Sequence, residues 1–369
     1  MKRSISAIGV LLTIVIPIAA QEPRVVEALD GLDPVLLVQG KEVAGKADLT
    51  VQRGRFQYLF SSAETKATFE REPQSYEIQS GGMCARMGKT AGGNPSDFLV
   101  HNGRIYVFGS DDCHKKFQAA PEKYLPSPPE PMPTAPDAMQ KGRALLERMV
   151  QSFGGAERLG RVKTYVETGT QVQTRPQGDR TITTKVMRRF PDATRLERSM
   201  DGSNGPMTSS MLLTTDGAWY IGQGHAYPVP GPGRASLEED LGRHPVALLR
   251  ARNESTLQVA ALGPGSTAGL TLEQVRVRRG GMDVTLGVDR STGQLHSMTF
   301  IDRNNDGEFG TYTIVYSDYR SVDGLTLPFT ARAFFNGQPD QAQSQTLTAI
   351  EINPPLDAAI FAKPPAGGQ

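Results

Sequence analysis

The sequence predicts an α+β protein in two unlike parts, and three observations predict it. A short segment occurs twice near the N-terminus. A proline-rich stretch then interrupts the chain. Beyond it, about a dozen strand-like segments with turn signals between them are joined by two helical patterns.

The repeat carries the most information. Residues 56–76 read FQYLFSSAETKATFEREPQSY, and residues 104–124 read RIYVFGSDDCHKKFQAAPEKY. Phe60, Ser62, Phe69, Pro73 and Tyr76 match Phe108, Ser110, Phe117, Pro121 and Tyr124 at a constant shift of 48. Self-similarity at one fixed period marks two copies of one supersecondary unit. The second copy has Cys113 and His114 where the first has Thr65 and Lys66. One copy therefore reads as structural and the other as the holder of a site.

Each copy resembles a YHS domain, a small unit related to the TRASH-type metal-binding modules. That pattern opens Asp-Pro-Val-Cys, continues with a strand ending Tyr-x-Phe-Cys-Ser-x-x-Cys, and closes with a helical Phe and Pro-x-x-Tyr. Copy one, residues 32–78, opens Asp33-Pro34-Val35-Leu36 and has Leu36, Ser61 and Thr65 at the cysteine positions. Copy two, residues 79–126, fits Cys84 and Cys113 to the first and third positions, with Gly109 at the second. The resemblance implies a metal-binding ancestry retained only in copy two. Copy one is expected to bind no metal and to pack on copy two, burying Phe60 and Phe69 alongside Phe108 and Phe117.

Met83 and Met87 flank Cys84, and His114 follows Cys113. Thiolate, thioether and imidazole together suit copper(I) or zinc. His101, on the strand leading into the Asn102-Gly103 turn, is a further candidate ligand. Two cysteines in an exported chain are most simply a disulfide. A Cys84–Cys113 bridge would close about 30 residues and stabilise by roughly 3.5 kcal/mol. Disulfide and metal site both remain open at this level.

The first 20 residues read as a signal peptide. Lys2 and Arg3 precede an apolar run from Ile8 to Ile18, and Ala19-Ala20 stand before Gln21. The run is too short to span a bilayer comfortably, and no other stretch approaches that length. The expected location is therefore the periplasm or the exterior, with no transmembrane segment once the leader is removed. The net charge of +1 and the lack of a basic block give no footprint for nucleic acid. No Gly-x-Ser-x-Gly elbow, phosphate loop, dinucleotide fingerprint or His-Glu-x-x-His helix is present. His225, His244 and His296 are scattered, without metal-ligand spacing. Nothing in the sequence names an enzyme or a protein partner.

Residues 127–136, SPPEPMPTAP, hold five prolines and predict a stiff extended linker. A helix is expected over 138–153 from Ala138, Leu145, Leu146, Met149 and Phe153 at helical spacing, with Asp137 as its cap and Gly154-Gly155 as its stop. A second helix is expected over 236–252, kinked or divided by Pro245. Strands are expected at 164–173, 181–190, 194–200, 211–215, 218–221, 256–262, 270–278, 282–288, 295–302, 312–320, 325–335 and 345–352. Asp302 to Gly307 copies the first six positions of a calcium loop, but the twelfth is Thr313 rather than Glu. It reads as a polar hairpin turn. Trp219 and Tyr220 read as core or rim aromatics.

Residues 137–365 resemble the LolA/LolB-type domains of lipoprotein sorting. The resemblance rests on the opening helix with GGAERL at 154–159, the run YSDYRSVDGLTLP at 316–328, and the tail INPPLD at 352–357 leading to Phe361. It implies a strongly curved antiparallel sheet, a half-barrel, wrapped around the helices. It further implies an apolar cavity for a lipid or acyl chain, with Leu145, Met149, Leu248 and Leu249 as candidate lining. The reading is an exported, non-enzymatic binding protein that carries or senses an apolar ligand. The alternative is a metal-handling or redox protein that uses the second repeat.

Overall fold

The computed structural model describes residues 25–88, 91–173, 178–202, 205–222, 224–229 and 231–364. The expected leader, residues 1–20, lies outside the described residues.

The repeat is reproduced in three dimensions. Strands β1 (Val26–Glu27), β2 (Lys46–Arg53) and β3 (Phe56–Phe60) form a small sheet with helices α1 (Pro34–Val38), α2 (Ala63–Arg71) and α3 (Pro73–Tyr76). Copy two repeats its core as β4 (Asn94–His101), β5 (Arg104–Phe108) and α4 (Asp111–Ala119). Every boundary of β2, β3 and α2 recurs 48 residues later, and so does the bulge in each hairpin, at Lys46/Thr50 and at Asn94/Phe98. The caps recur as well. Ser62 accepts from the Thr65 amide and Ser110 from the Cys113 amide, satisfying one orphan donor of each helix.

The two copies meet through β5, which has two apolar faces. Ile105 and Val107 enter the cluster of Phe56, Tyr58, Phe60 and Phe69. Phe108 turns to the other side and packs with Phe117, Tyr124, Cys84 and Cys113. Phe60 and Phe69 are thus buried against copy two, but in a different cluster from Phe108 and Phe117. Alternation along one strand separates them.

The rest of the chain is one open antiparallel sheet with helices. Helices α5 (Pro136–Ser152) and α6 (Ala156–Arg161) lead into β6 (Thr164–Gln173), β7 (Arg180–Arg189), β8 (Ala193–Gly202), β9 (Gly205–Thr214), β10 (Gly217–Gly222) and β11 (His225–Pro228). Helices α7 (Gly231–Arg243) and α8 (Pro245–Arg250) follow. Then come β12 (Gln258–Thr267), β13 (Leu270–Arg279), β14 (Met282–Val288), β15 (Leu295–Arg303), β16 (Phe309–Val322), β17 (Leu325–Phe335) and β18 (Gln338–Ile352). The thirteen strands run β11-β10-β9-β8-β7-β6-β18-β17-β16-β15-β14-β13-β12. The first and last strands, β6 and β18, therefore pair in the middle. The chain leaves one edge at β11 and re-enters at the opposite edge at β12. The two edges do not pair, so no barrel closes among the described residues.

Curvature follows from the core. Leu146, Met149 and Val150 of α5 and Leu248 and Leu249 of α8 share one buried cluster with Tyr165 of β6, Ile350 of β18, Leu327 of β17, Met298 of β15, Leu286 of β14, Val275 of β13 and Val259 of β12. Laid flat, strands from β6 to β12 would span roughly 34 Å, whereas a helix is only about 10–12 Å across. One pair of helices reaches all of them only because the sheet bends around it. On the outer face, Val166, Met187, Leu212 and Trp219 are covered by Phe361 from the C-terminal tail.

Several expected details differ. Helix α5 is capped by Ala135 with Pro136 in its first turn, not by Asp137, since proline tolerates the missing donor there. The second helix starts earlier, at Gly231, and Pro245 divides it into α7 and α8. β11 was not expected, and β12 runs on to Thr267 through Gly263-Pro264-Gly265. As an edge strand it accepts a proline that a central strand could not. Trp219 is buried and Tyr220 exposed. The expected polar turn lies at 304–308 and joins β15 to β16, with Asp302 and Arg303 still paired in β15.

Gly142 lies inside α5, where glycine costs about 1 kcal/mol relative to alanine. A Cβ there would stand 2.7 Å from the Ala260 carbonyl carbon and the Ala261 amide nitrogen. The helix rests directly on the β12 backbone at this point. Gly142→Ala is predicted to lower the urea unfolding midpoint, by about 1–3 kcal/mol of stability, against its gain in helix propensity. A raised midpoint would contradict this contact.

Candidate functional site

A cavity of about 250 Å³ lies under the concave face, between the central strands and the α7–α8 junction. Its apolar wall includes Phe153, Val246, Met298, Phe300, Leu327 and Phe329. Leu145, Met149, Leu248 and Leu249 are buried in the packed core beside it and do not line it. They sit where α5 and α8 press on the sheet, whereas the open space lies where α7 ends and α8 begins.

One wall of the cavity is polar. Glu167 of β6 accepts a hydrogen bond from Arg188 Nη1 at 3.0 Å, and His244 Nε2 lies 3.4 Å from its other oxygen. Strand alternation explains the placement. Tyr165 and Glu167 point inward while Val166 points outward, and Arg188 stands opposite Tyr165 on β7. His244 is the residue at which Pro245 breaks the helix, and its extended backbone separates α7 from α8. The Tyr165 ring meets the imidazole edge-to-face at 5.0 Å.

Burial pushes the Glu167 carboxyl up, but the Arg188 charge and the His244 hydrogen bond outweigh it and lower it to about 2. Burial and the Arg188 charge push the His244 imidazole below its usual range, only partly offset by Glu167. At neutral pH the group is thus a carboxylate, a guanidinium and a neutral imidazole. Arg243 also lines the cavity, stacked 4.3 Å over Phe300 and bonded to Asp240 and Asp302 at 2.8 Å each. Arg188 Nε, Arg243 Nε and His244 Nδ1 are buried without a hydrogen-bond partner among the described residues.

The second candidate is the thiol pair of copy two. Cys84 and Cys113 are both buried and both free. Cys113 stands in the first turn of α4. Arg86 Nη1 lies 3.8 Å from Cys113 Sγ and 3.2 Å from Met87 Sδ. Burial raises the Cys113 thiol pKa, but hydrogen bonds from Ser110, Arg86 and Cys84 outweigh it, and the net direction is down. His114 is directed elsewhere, stacked on Phe108 with Nδ1 bonded to Asp97 at 2.5 Å. His101 packs edge-on to Phe117, with Asn102 at its Nε2. Met83 is buried and its backbone bridges to Gly92. Among the described residues no three His, Cys, Asp or Glu side chains converge as a metal set. In copy one the corresponding place is filled by buried Asp33, which accepts from Ser61 Oγ at 2.7 Å and Thr65 Oγ1 at 2.6 Å.

The two candidates are joined by Arg303, at the end of β15. It donates to the carbonyls of Ala85, Arg86 and Gly307 through Nη1 and to that of Tyr124 through Nη2, at 2.7–3.0 Å. Gly307 lies so close to the Arg86 carbonyl that a side chain would collide with it. The calcium-like sequence at 302–307 is thus a docking turn that seats copy two on the sheet. Sequence reading did not find the Glu167, Arg188 and His244 group. The available signals were an acid inside an alternating strand and a histidine beside a helix-breaking proline.

The lowered His244 pKa has a signed consequence. The unfolded chain takes up the proton first, so the stability it contributes is full above about 6.5 and is lost as pH falls through the lower folded value. Glu167 adds the same sign further down, from about 4.5 towards 2. The urea midpoint is predicted to fall between pH 7 and pH 5, and His244→Gln to flatten that segment. A variant profile parallel to that of the parent would contradict the assignment.

The chain matches no family model and no curated protein. Among solved structures it is similar to a putative outer membrane lipoprotein-sorting protein domain from Vibrio parahaemolyticus, at 12% identity and TM-score 0.40 over 60% of this chain and 97% of that one. A LolA superfamily protein from Nitrosomonas europaea gives 12% and 0.39 over 60% and 97%. A DUF1329 family protein from Desulfovibrio piger gives 10% and 0.35 over 61% and 97%. Similarity at this level assigns neither ligand nor activity to this chain.

Proposed function

We propose that this protein is an exported, non-enzymatic carrier or sensor of an apolar ligand, held in the cavity between the concave sheet and the α7–α8 junction. The observation that carries this reading is the cavity itself. A concave space of about 250 Å³, partly open to solvent, is lined there by Phe300, Leu327 and Phe329. That volume lies just below the usual range for small-molecule pockets, so it suits a single short chain better than a diacyl lipid. The sequence resemblance to LolA/LolB-type domains and the leader-like first 20 residues support the same reading. No helix among the described residues is long and apolar enough to cross a membrane.

A second reading is favoured by one observation, the lowered thiol of Cys113 beside Arg86. Copy two, read as a YHS-like unit, would then handle copper or zinc or cycle between dithiol and disulfide. Thiol titration with and without reductant, together with copper and zinc content, tests it. Two thiols in both titrations and no bound metal would remove it.

For the carrier, a fluorescent apolar probe such as 1-N-phenylnaphthylamine is predicted to bind the full chain saturably at one site. Ala331 lines the cavity. Ala331→Trp is predicted to fill the space and weaken the probe at least tenfold while the unfolding midpoint stays near that of the parent. Unchanged probe affinity in a folded Ala331→Trp protein would place the probe elsewhere and remove this reading.

A further inference from the structure

We infer that the cavity selects an uncharged amphiphile, whose hydroxyl or carbonyl oxygens meet the polar wall, over fatty acids and cationic lipids of equal chain length. This rests on the carrier reading and specifies its ligand class.

The charges at the wall are already used. Glu167 is paired with Arg188 at 3.0 Å, and Arg243 with Asp240 and Asp302 at 2.8 Å each. The four charged side chains that line the cavity are two acids, Glu167 and Asp240, and two bases, Arg188 and Arg243. A carboxylate head would enter beside Glu167 and Asp240, where both lining guanidinium groups are already paired. A quaternary ammonium head would enter beside two guanidinium groups without a free anion. Either would lose its hydration with no counter-charge in return, which is the costly case for a buried ion.

Hydrogen-bonding capacity, in contrast, is left over. Thr330, Gln343 and Gln345 add neutral polar side chains to the lining. A head with hydroxyl and carbonyl oxygens can exchange hydrogen bonds with such hydroxyl and amide groups while adding no net charge. Few placed polar groups in an otherwise apolar pocket are what fixes a ligand's orientation.

The test is competition against 1-N-phenylnaphthylamine on the full chain at pH 7.5, each competitor kept below its micellar concentration. The three competitors share one chain: 1-monodecanoylglycerol, decanoate and decyltrimethylammonium. The monoglyceride is expected to displace the probe at least tenfold more tightly than either ion. Glu167→Gln leaves Arg188 without its carboxylate and is expected to shift preference at least tenfold towards decanoate. Equal competition by all three, or a parent protein that prefers decanoate, would overturn the inference and leave the carrier standing. If Glu167→Gln does not fold, the parent series still decides. Absence of any saturable probe binding would instead remove the carrier reading.

Discussion

The structure depends on one topological constraint. The chain leaves the sheet at one edge, β11, and resumes at the opposite edge, β12, and α7 and α8 make the crossing. Their apolar residues must be buried, and so must the inner faces of the strands they cross. The sheet satisfies both by bending around the helices, with β6 and β18 closing the middle. Pro245 then decides where the interior is solid and where it is open. On its C-terminal side, α8 buries Leu248 and Leu249 in the core. At His244 the helix changes direction, and the cavity lies at that break.

Much of this was legible in the sequence. β6, β14 and β17 have the expected bounds because alternation and turn residues agree at both ends. The repeat was legible to the residue, since the shift of 48 holds for strands, bulge and cap alike. The misses have physical causes. β11 is four residues long and carries little alternation. Gly263-Pro264-Gly265 reads as a turn, and only its edge position lets it continue a strand. Leu145, Met149, Leu248 and Leu249 were recognisable as buried, but apolar periodicity cannot separate a residue that packs from one that lines a void. The polar wall was invisible because Glu167, Arg188 and His244 come from three separate elements, each with an unremarkable local pattern.

The Asp302 to Gly307 segment shows how a motif can match a pattern and serve another end. Its backbone and Arg303 fit the turn that carries Cys84, so copy two is held against the sheet by a guanidinium and three of its own carbonyls. Asp302, the neighbouring residue, bonds Arg243 in the cavity wall. A continuous bonded path therefore runs from the Cys113 sulfur through Arg86, Arg303, Asp302 and Arg243 to the cavity. The two candidate sites are parts of one connected interior, and the tandem units are more than an appended module.

The measurement that bears most directly on the central claim is a crystal structure of the full chain soaked with a chain-terminal bromodecanol, recorded at the bromine absorption edge. The account predicts one strong anomalous peak against Phe300 and Phe329 under the concave face, with the hydroxyl at the wall formed by Arg188 and His244. A bromine bound reproducibly elsewhere, with that cavity still empty at saturating ligand, would contradict it.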